Sequence, residues 1–398
     1  MGWALDAFDV MLYAIVVTAV MRDLGLSKGT AGLLNTLTLL ASGVGGVVFG
    51  AIADRLGRKR ALMASILTYS VCSFLSGLAT SVLMLAIVRF ILGLGMGGEW
   101  NTGAALVAET WPEHLRAKAM AVVQSSWGLG YAAAALVGGI VLRITGNWRS
   151  VFFVGVAPAL VTLWIRKDVP ESEMWKSRAV QGSGRAEFSE IFQAPLLWRT
   201  LTLLAMNFFG MFAWWGMFTW LPAYLSLPVD QGGRGLDLPL LHANWLPLST
   251  TTVVLVVLNV CGMFPGYACF GWVADRIGRK RAFILYTAIA ALLVPIYAAA
   301  RSPWSIMLLG TLLAFFGTGF FSGSGIIGSE IFPTTLRARG LGFTYNGART
   351  VSSISPFVIG AVSERHGLAG AFLLCGLGFA LSAVTAFGIP ETRGRRLS

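Results

Sequence analysis

Five ionisable side chains stand inside runs that are otherwise apolar: Asp6, Asp9, Arg89, Glu99 and Arg349. In the middle of a lipid-embedded helix such a group costs about 2.5–3.5 kcal/mol on insertion scales, so each is a functional candidate by default. Acids in these surroundings can take up and release protons, because burial favours their neutral form and a nearby arginine favours the charged one. Asp9 and Glu99 are therefore read as candidate proton carriers. Asp6, one turn before Asp9, is expected to face water or a linker instead. An arginine in such a place can hold a carboxylate through two parallel hydrogen bonds, and Arg349 is read as that contact. The plainer alternatives are static ion pairs, with Asp9 tying two helices together and Arg349 neutralising an acid elsewhere.

Helical rise gives each group a depth. Arg349 lies ten residues beyond Arg339, and Glu99 ten before Glu109, which puts both about 15 Å along their helices. That is near the midplane of a bilayer, where carriers bind their cargo. Arg89 stands ten residues before Glu99 on the same helix, and Asp9 thirteen before Arg22; a tilted first helix would let the two meet. Tyr345, Asn346, Arg349, Ser352, Ser353 and Pro356 follow spacings of three, four and seven, which is one helical face carrying polar groups. Gln124, Asn207 and Asn259 either line the same cavity or serve as interhelical bonds. Tyr131 and the pair Trp214–Trp215 are candidate aromatic wall.

The elements that must position these groups follow from composition. Of 398 residues, 56% are hydrophobic and 12% charged, with a mean hydropathy of +0.72. A soluble domain has about twice that charged fraction, so a water-soluble enzyme is excluded. Apolar runs between charged breaks give twelve spans near 3–21, 30–53, 61–80, 82–108, 119–143, 148–166, 200–222, 246–273, 282–300, 304–329, 340–362 and 367–389. The expectation is an all-α polytopic membrane protein of two six-helix bundles, 1–166 and 200–398, joined by a polar linker at 167–199 with some amphipathic helix. Loops after the even-numbered spans, with the tail, hold 21 Lys and Arg, against seven on the other side. That asymmetry places both termini in the cytoplasm. It also accounts for the net charge of +12, so nucleic acid is not the expected partner.

Other chemistry is absent from the pattern. Cys72, Cys261, Cys269 and Cys375 all fall in apolar runs and read as small core residues rather than disulfides or metal ligands. His114, His242 and His366 have no zinc spacing, and no cofactor is implied. The first apolar run begins at Trp3 without a basic flank and carries two acids, unlike a cleavable leader; a short cytoplasmic segment ahead of it is expected to be trimmed or absent.

An internal repeat organises the chain. Gly50-Ala-Ile-Ala-Asp54-Arg-Leu-Gly-Arg58-Lys-Arg60 recurs as Gly271-Trp-Val-Ala-Asp275-Arg-Ile-Gly-Arg279-Lys-Arg281. Glu109-Thr-Trp-Pro-Glu-His-Leu-Arg116 recurs as Glu330-Ile-Phe-Pro-Thr-Thr-Leu-Arg337, and both pairs share an offset of 221. One offset for two motifs argues for duplication of a six-helix unit, with parallel halves related by an axis along the membrane normal.

In these residues the chain resembles the major facilitator superfamily, whose most specific signature is the Gly-x-x-x-Asp-Arg-x-Gly-Arg-Lys loop. Pro170-Glu171-Ser172 and Pro390-Glu391-Thr392 resemble the half-ending motifs of sugar-porter-like branches. Leu5-Asp6-Ala7-Phe8-Asp9, Gly97-Gly98-Glu99-Trp100 and Gly340-Leu-Gly-Phe-Thr-Tyr345-Asn346 are similar to bacterial sialic acid and lactate symporters. The resemblance implies a coupling pair of Asp9 with Arg89. It also implies a cytoplasmic gate built from Asp54, Arg58, Glu109, Arg116, Asp275, Arg279, Glu330 and Arg337, with Asp54 facing the start of span 11 and Asp275 that of span 5. The implied function is a secondary carrier, active as a monomer in the inner membrane, moving a small organic anion inward with protons, such as lactate or a sugar acid. A proton-coupled sugar or polyol carrier and a zwitterion or osmolyte carrier stay open, as does, more distantly, a non-transporting receptor. An ATP-driven pump is disfavoured, since no Gly-x-x-x-x-Gly-Lys-Ser/Thr element exists.

Overall fold

The computed structural model describes residues 2–110, 113–169, 171, 188–194, 196–236, 248–333 and 336–393; the side chains at 100, 101, 104, 105, 108–119, 121, 188, 337 and 338 lie outside the described set. The first half is built from α1 (Gly2–Leu24), α2 (Lys28–Leu56), α3 (Arg58–Gly77), α4 (Val82–Thr110), α5 (Glu113–Thr145), α6 (Trp148–Val154) and α7 (Pro158–Asp168). The second is α8 (Leu196–Ser226), α9 (Thr250–Val257), α10 (Phe264–Ile277), α11 (Arg279–Ala299), α12 (Pro303–Ile331), α13 (Arg337–Ser352) and α14 (Ser355–Thr385). Local chemistry sets the starts. Ser27, Asn147 and Ser249 each accept a backbone N–H of the first helical turn, and Pro158, Pro265, Pro303 and Pro356 occupy first-turn positions. A proline there forgoes no helical hydrogen bond.

Among the described residues, ten helical stretches are long and apolar enough to cross a membrane, where the sequence pattern gives twelve spans. The difference has two sources. Helix α3 opens on Arg58-Lys59-Arg60 and carries a row of serines and threonines, so its average hydropathy is low although it packs within the bundle. Spans 11 and 12 run on as one stretch, because helical hydrogen bonding continues through Gly367, whose φ of 67° makes the corner.

Three spans, 6, 8 and 11, are interrupted where the sequence pattern shows continuous runs, span 6 between Val154 and Pro158. Span 8 changes at Leu258–Met263 into a π-helical segment, ahead of Pro265, whose ring cannot donate to the preceding turn. Span 11 loses its helix at Ser353–Ile354, directly after Arg349, and restarts before Pro356. The hydroxyls of Ser352 and Ser353 bond the Arg349 and Thr350 carbonyls at 3.1 and 2.6 Å, supplying donors that the break withdraws.

Packing inside the first half is tightest where α4 lies between α2 and α3. A Cβ on Gly97 would collide with the Ser42 carbonyl, and one on Gly45 with that of Leu94. Small residues here let two backbones approach, as in membrane helix pairs generally. The duplication extends to individual contacts. Gly57 and Gly278 turn the chain with φ of 103° and 104°. Glu171 accepts the Arg58 N–H at 3.0 Å, and Glu391 that of Arg279 at 2.8 Å, so the half-ending acids cap the N-termini of α3 and α11. Lys59 and Lys280 reach the carbonyls of Arg166 and Phe387 at 2.8 and 2.7 Å, again 221 residues apart.

Among the described residues, the hydrogen bonds joining the halves run from mid-depth to the side opposite the basic loops. Gly29 N–H donates to Glu364 at 2.9 Å, Lys28 to the Gln231 carbonyl at 2.7 Å, and Asn35 to Thr219 at 3.1 Å. Gly32 abuts the Pro356 carbonyl. Helices α2 and α14 close that side. Two cysteine expectations are corrected: Cys72 and Cys375 are buried, but Cys261 and Cys269 are exposed, since they stand on the outward stripe of span 8 rather than in its packed face. Of the 167–199 linker, the described part includes a 3₁₀ turn, Phe188–Phe192, whose Ile191 carbonyl accepts from Thr200 at 2.9 Å; 172–187 lie outside the described residues.

Candidate substrate and proton site

Between the halves lies a narrow cleft of about 20 Å³, lined by Trp3, Trp127, Met211, Trp214, Trp215, Tyr267, Phe321, Tyr345 and Arg349. Six helices supply it: α1, α5, α8, α10, α12 and α13, the last with Tyr345 and Arg349. Trp127 is the hub, its ring 4.7 Å from Trp3, 5.9 Å from Trp215 and 6.0 Å from Trp214. The single cation of this wall is Arg349, 5% exposed, its guanidinium 5.9 Å from the Trp3 ring. Its Nε and Nη2 have no acceptor among the described residues, nor does the Trp127 indole N–H have one. A buried donor without a partner loses a hydrogen bond's worth of free energy. Three such donors at an aromatic cleft form a receptor for an acceptor-rich, flat or apolar guest.

A polar strip runs along α1 beside this cleft. Gly2, Asp6, Asp9 and Tyr13 follow one another at four, three and four residues, hence on one face. Antiparallel to it, α4 sets the Glu99 carboxyl against the backbone of Gly2 and the Arg89 guanidinium 4.5 Å from the Tyr13 ring. The two registers agree: eleven residues on α1 and ten on α4 are each about 15–16 Å. Helix α3 adds Tyr69 and Ser73. Asp6, expected to face water or a linker, is 1% exposed, because Trp3 and Ala7 on the same turns are buried with it.

Asp9 and Arg89 are close enough for their charges to act on one another, yet form no ion pair. Arg89 donates through Nε to Thr38 at 3.2 Å, leaving Nη1 and Nη2 without partners, and both Asp9 oxygens are likewise unpartnered. Asp9 and the Ser73 hydroxyl converge instead on Gly155, where a Cβ would lie 2.5 Å from Asp9 Oδ1. Gly155 follows α6, so the interruption of span 6 makes room for the acid. Glu99 has neither oxygen bonded.

Of the remaining candidates, Tyr345 lines the cleft and Gln124 stands beside it. Asn346 is half-buried on α13 outside the lining set. Asn207 donates to the Thr344 carbonyl at 3.3 Å, and Asn259 to Leu255 of its own helix at 2.8 Å, so both act as packing amides and not as cleft wall. Tyr131 donates to the Phe218 carbonyl at 2.9 Å, tying the halves together. Trp214 and Trp215 are wall, as expected from the sequence. Trp3, Trp127, Tyr267 and Phe321 were not singled out there. Trp127 carried a usable signal: fourteen residues into α5, it is about 21 Å from the helix start and too deep for an interfacial anchor.

At the basic side Asp54 pairs with Arg58 at 2.6 Å and Asp275 with Arg279 at 2.8 Å, while Arg279 also reaches Glu330 at 3.3 Å. Each of these bonds stays within one half. The side chains of Glu109, Arg116 and Arg337, with the facing starts of spans 5 and 11, lie outside the described residues.

With this geometry in place, a family model described as Major Facilitator Superfamily matches residues 2–242 and 238–398. This chain belongs to the major facilitator superfamily. It is therefore a multi-pass membrane transporter and not an enzyme. A probable 4-methylmuconolactone transporter of Cupriavidus pinatubonensis is 33% identical, over 99% of this chain and 89% of that one. The sialic acid transporter NanX of Escherichia coli is 33% identical, over 98% and 92%, in line with the symporter branch that the span 4 and span 11 motifs resemble. The crystal structure of a D-xylose-proton symporter shares the facilitator fold, with a TM-score of 0.73 at 19% identity, covering 100% of this chain and 97% of that one.

Proposed function

We propose that this facilitator is a proton-coupled carrier of a small organic anion, a monocarboxylate whose body is flat or apolar. The observation that carries this reading is one buried arginine with two unpartnered donors in a cleft otherwise walled by aromatic rings, four indoles, one phenyl and the phenols of Tyr267 and Tyr345, with Met211 beside them. Arg349 takes the carboxylate, Trp127 adds an indole donor, and the rings pack the body of the acid. A hydroxyl-rich sugar acid suits this wall less well than a conjugated one, because its hydroxyls would be buried without partners. One of the relatives named above is described as a sialic acid transporter, which supports the charge of the cargo.

The protons ride on the buried acids between α1 and α4, where the sequence pattern marks Asp9, Arg89 and Glu99 as candidates for the coupling groups. Residues 1–166 and 200–398 are the two rocking bodies, with the linker 167–199, both termini and the Asp54, Arg58, Asp275 and Arg279 motifs on the cytoplasmic side of the inner membrane. In that orientation the closed side is the outer one, and the state described is inward-facing. The protein works as a monomer, since one chain encloses the whole pathway.

Liposome reconstitution tests the reading. External pH is followed after adding benzoate, lactate, gluconate, xylose or glycine betaine. Alkalinisation with benzoate, weaker with lactate and abolished by Arg349→Gln, is expected. Alkalinisation with xylose alone would overturn the anion reading and return Arg349 to a structural role; a response to betaine alone would favour a zwitterion carrier.

A further inference from the structure

The proton-coupling set inherited from the motif pattern pairs Asp9 with Arg89, but the geometry places another acid closer to the substrate cleft. Glu99 presses its carboxyl against Gly2, one helical turn below Asp6 on the same face of α1. Trp3, a neighbour of Asp6 on that face, is the ring above which Arg349 sits. Asp6 thus stands between Glu99 on one side and Arg349 on the other, close enough for both charges to act on it. Asp6 is 1% and Glu99 2% exposed. Asp6 Oδ2, both Glu99 oxygens and the Arg349 Nε and Nη2 have no partner among the described residues. The other groups acting on this pair are the N-terminal amine, which acts on Glu99, Asp9 on α1 and Tyr69 from α3, and Arg89 acts on Asp9 in turn.

We propose that Asp6 and Glu99 form one proton-binding site, occupied or emptied according to whether Arg349 is engaged by the transported anion. The inference rests on the carrier reading above and names where its proton sits. Two buried acids that face each other without a bonded cation do not both ionise, and their titration belongs to the pair. While Arg349 is unengaged, its charge helps hold Asp6 ionised. When a carboxylate docks on the guanidinium, that field is neutralised at Asp6, and a hydronium gives its proton to one oxygen of the pair. On the other side the same O–H bond breaks to water as the anion leaves. One anion and one proton cross together without net charge, and α1 is the element through which each site senses the other. Asp9, lodged against Ser73 and Gly155, then holds the helix packing rather than the transported proton.

The test does not require the substrate to be known. Infrared difference titration of the full-length protein in lipid bilayers follows the carbonyl band of a protonated carboxylic acid. One band is expected, removed by Asp6→Asn and by Glu99→Gln alike and kept by Asp9→Asn. Arg349→Gln should let the pair hold its proton to an at least tenfold lower proton concentration. Glu99→Asp, which retains the acid and its fold, should keep the band with a displaced midpoint. Separate bands removed one by each variant, a band that only Asp9→Asn removes, no band at all, or an unmoved midpoint in Arg349→Gln would each overturn the proposal. If the band behaves as stated but no organic acid is transported in liposomes, the carrier reading fails and the proton site stands.

Discussion

Replacing Arg349 separates recognition by charge from recognition by shape. Two of its N–H donors, Nε and Nη2, are buried and unpartnered, and a bound carboxylate can occupy both in parallel. Hydrogen bonds to charged groups contribute about 1.5–3 kcal/mol each, so Arg349→Gln should remove about 3–6 kcal/mol of binding. At 1.4 kcal/mol per decade, that is a loss of about 10²–10⁴-fold in affinity. Arg349→Lys keeps a point charge but not the fork; losing one of two bonds weakens binding by about 10–100-fold. The four tryptophans of the cleft provide the assay, since benzoate docking among them should quench their emission in the detergent-solubilised protein. Thermal unfolding of each variant, and Asn207→Ala as a control away from the cleft, separate lost binding from lost fold. A folded Arg349→Lys that binds benzoate as tightly as the wild type would refute the bidentate argument, and unchanged binding in Arg349→Gln would remove the arginine from recognition altogether.

Three further outcomes follow from the same geometry. Trp127→Phe retains a ring at the hub but deletes the unpartnered indole donor, so benzoate binding should weaken by about tenfold, the worth of one ordinary hydrogen bond, read by calorimetric titration. Gly97→Ala, whose new methyl would strike the Ser42 carbonyl, should destabilise the first half by about 1–3 kcal/mol, whereas Gly50→Ala has open space around it and should leave the unfolding temperature in detergent unchanged. Burial alone would raise the Glu391 carboxyl, but the N–H groups of Arg393, Arg279, Thr392 and Lys280 outweigh it and hold the group below its ordinary value of 4.5. Its stabilisation is therefore complete above that ordinary value and is lost as pH falls through the lower folded one. Glu391→Ala should flatten the acid limb of the stability profile below the ordinary value of 4.5, measured by thermal unfolding, with an amplitude under about 1 kcal/mol because the site is partly exposed.

Sequence and structure agree most closely where the information is periodic or duplicated. Apolar run length gives the spans, since a helix must satisfy its own backbone in lipid, and the offset of 221 recurs in the structure as paired turns and lysine contacts, with the capping acids 220 apart. Ionisable residues inside those spans are equally legible, because their rarity in lipid marks them without any knowledge of neighbours. Their partners are not. Asp6 is a cleft-side acid only because Glu99 and Arg349, from two helices distant in the chain, meet its turn of α1 beside Trp3, and Asn207 and Asn259 fall out of the cleft because helix rotation turns them into packing bonds. Trp3 looks like any other tryptophan until α1 and α5 are placed against each other, whereas depth along its helix already sets Trp127 apart. Breaks in spans 6, 8 and 11 are likewise invisible to hydropathy, which averages over the few residues where a proline or a buried acid redirects the backbone. Composition and periodicity thus decide what crosses the membrane, and the tertiary structure decides which charges meet there, since that depends on rotation and register between helices that no single run of sequence encodes.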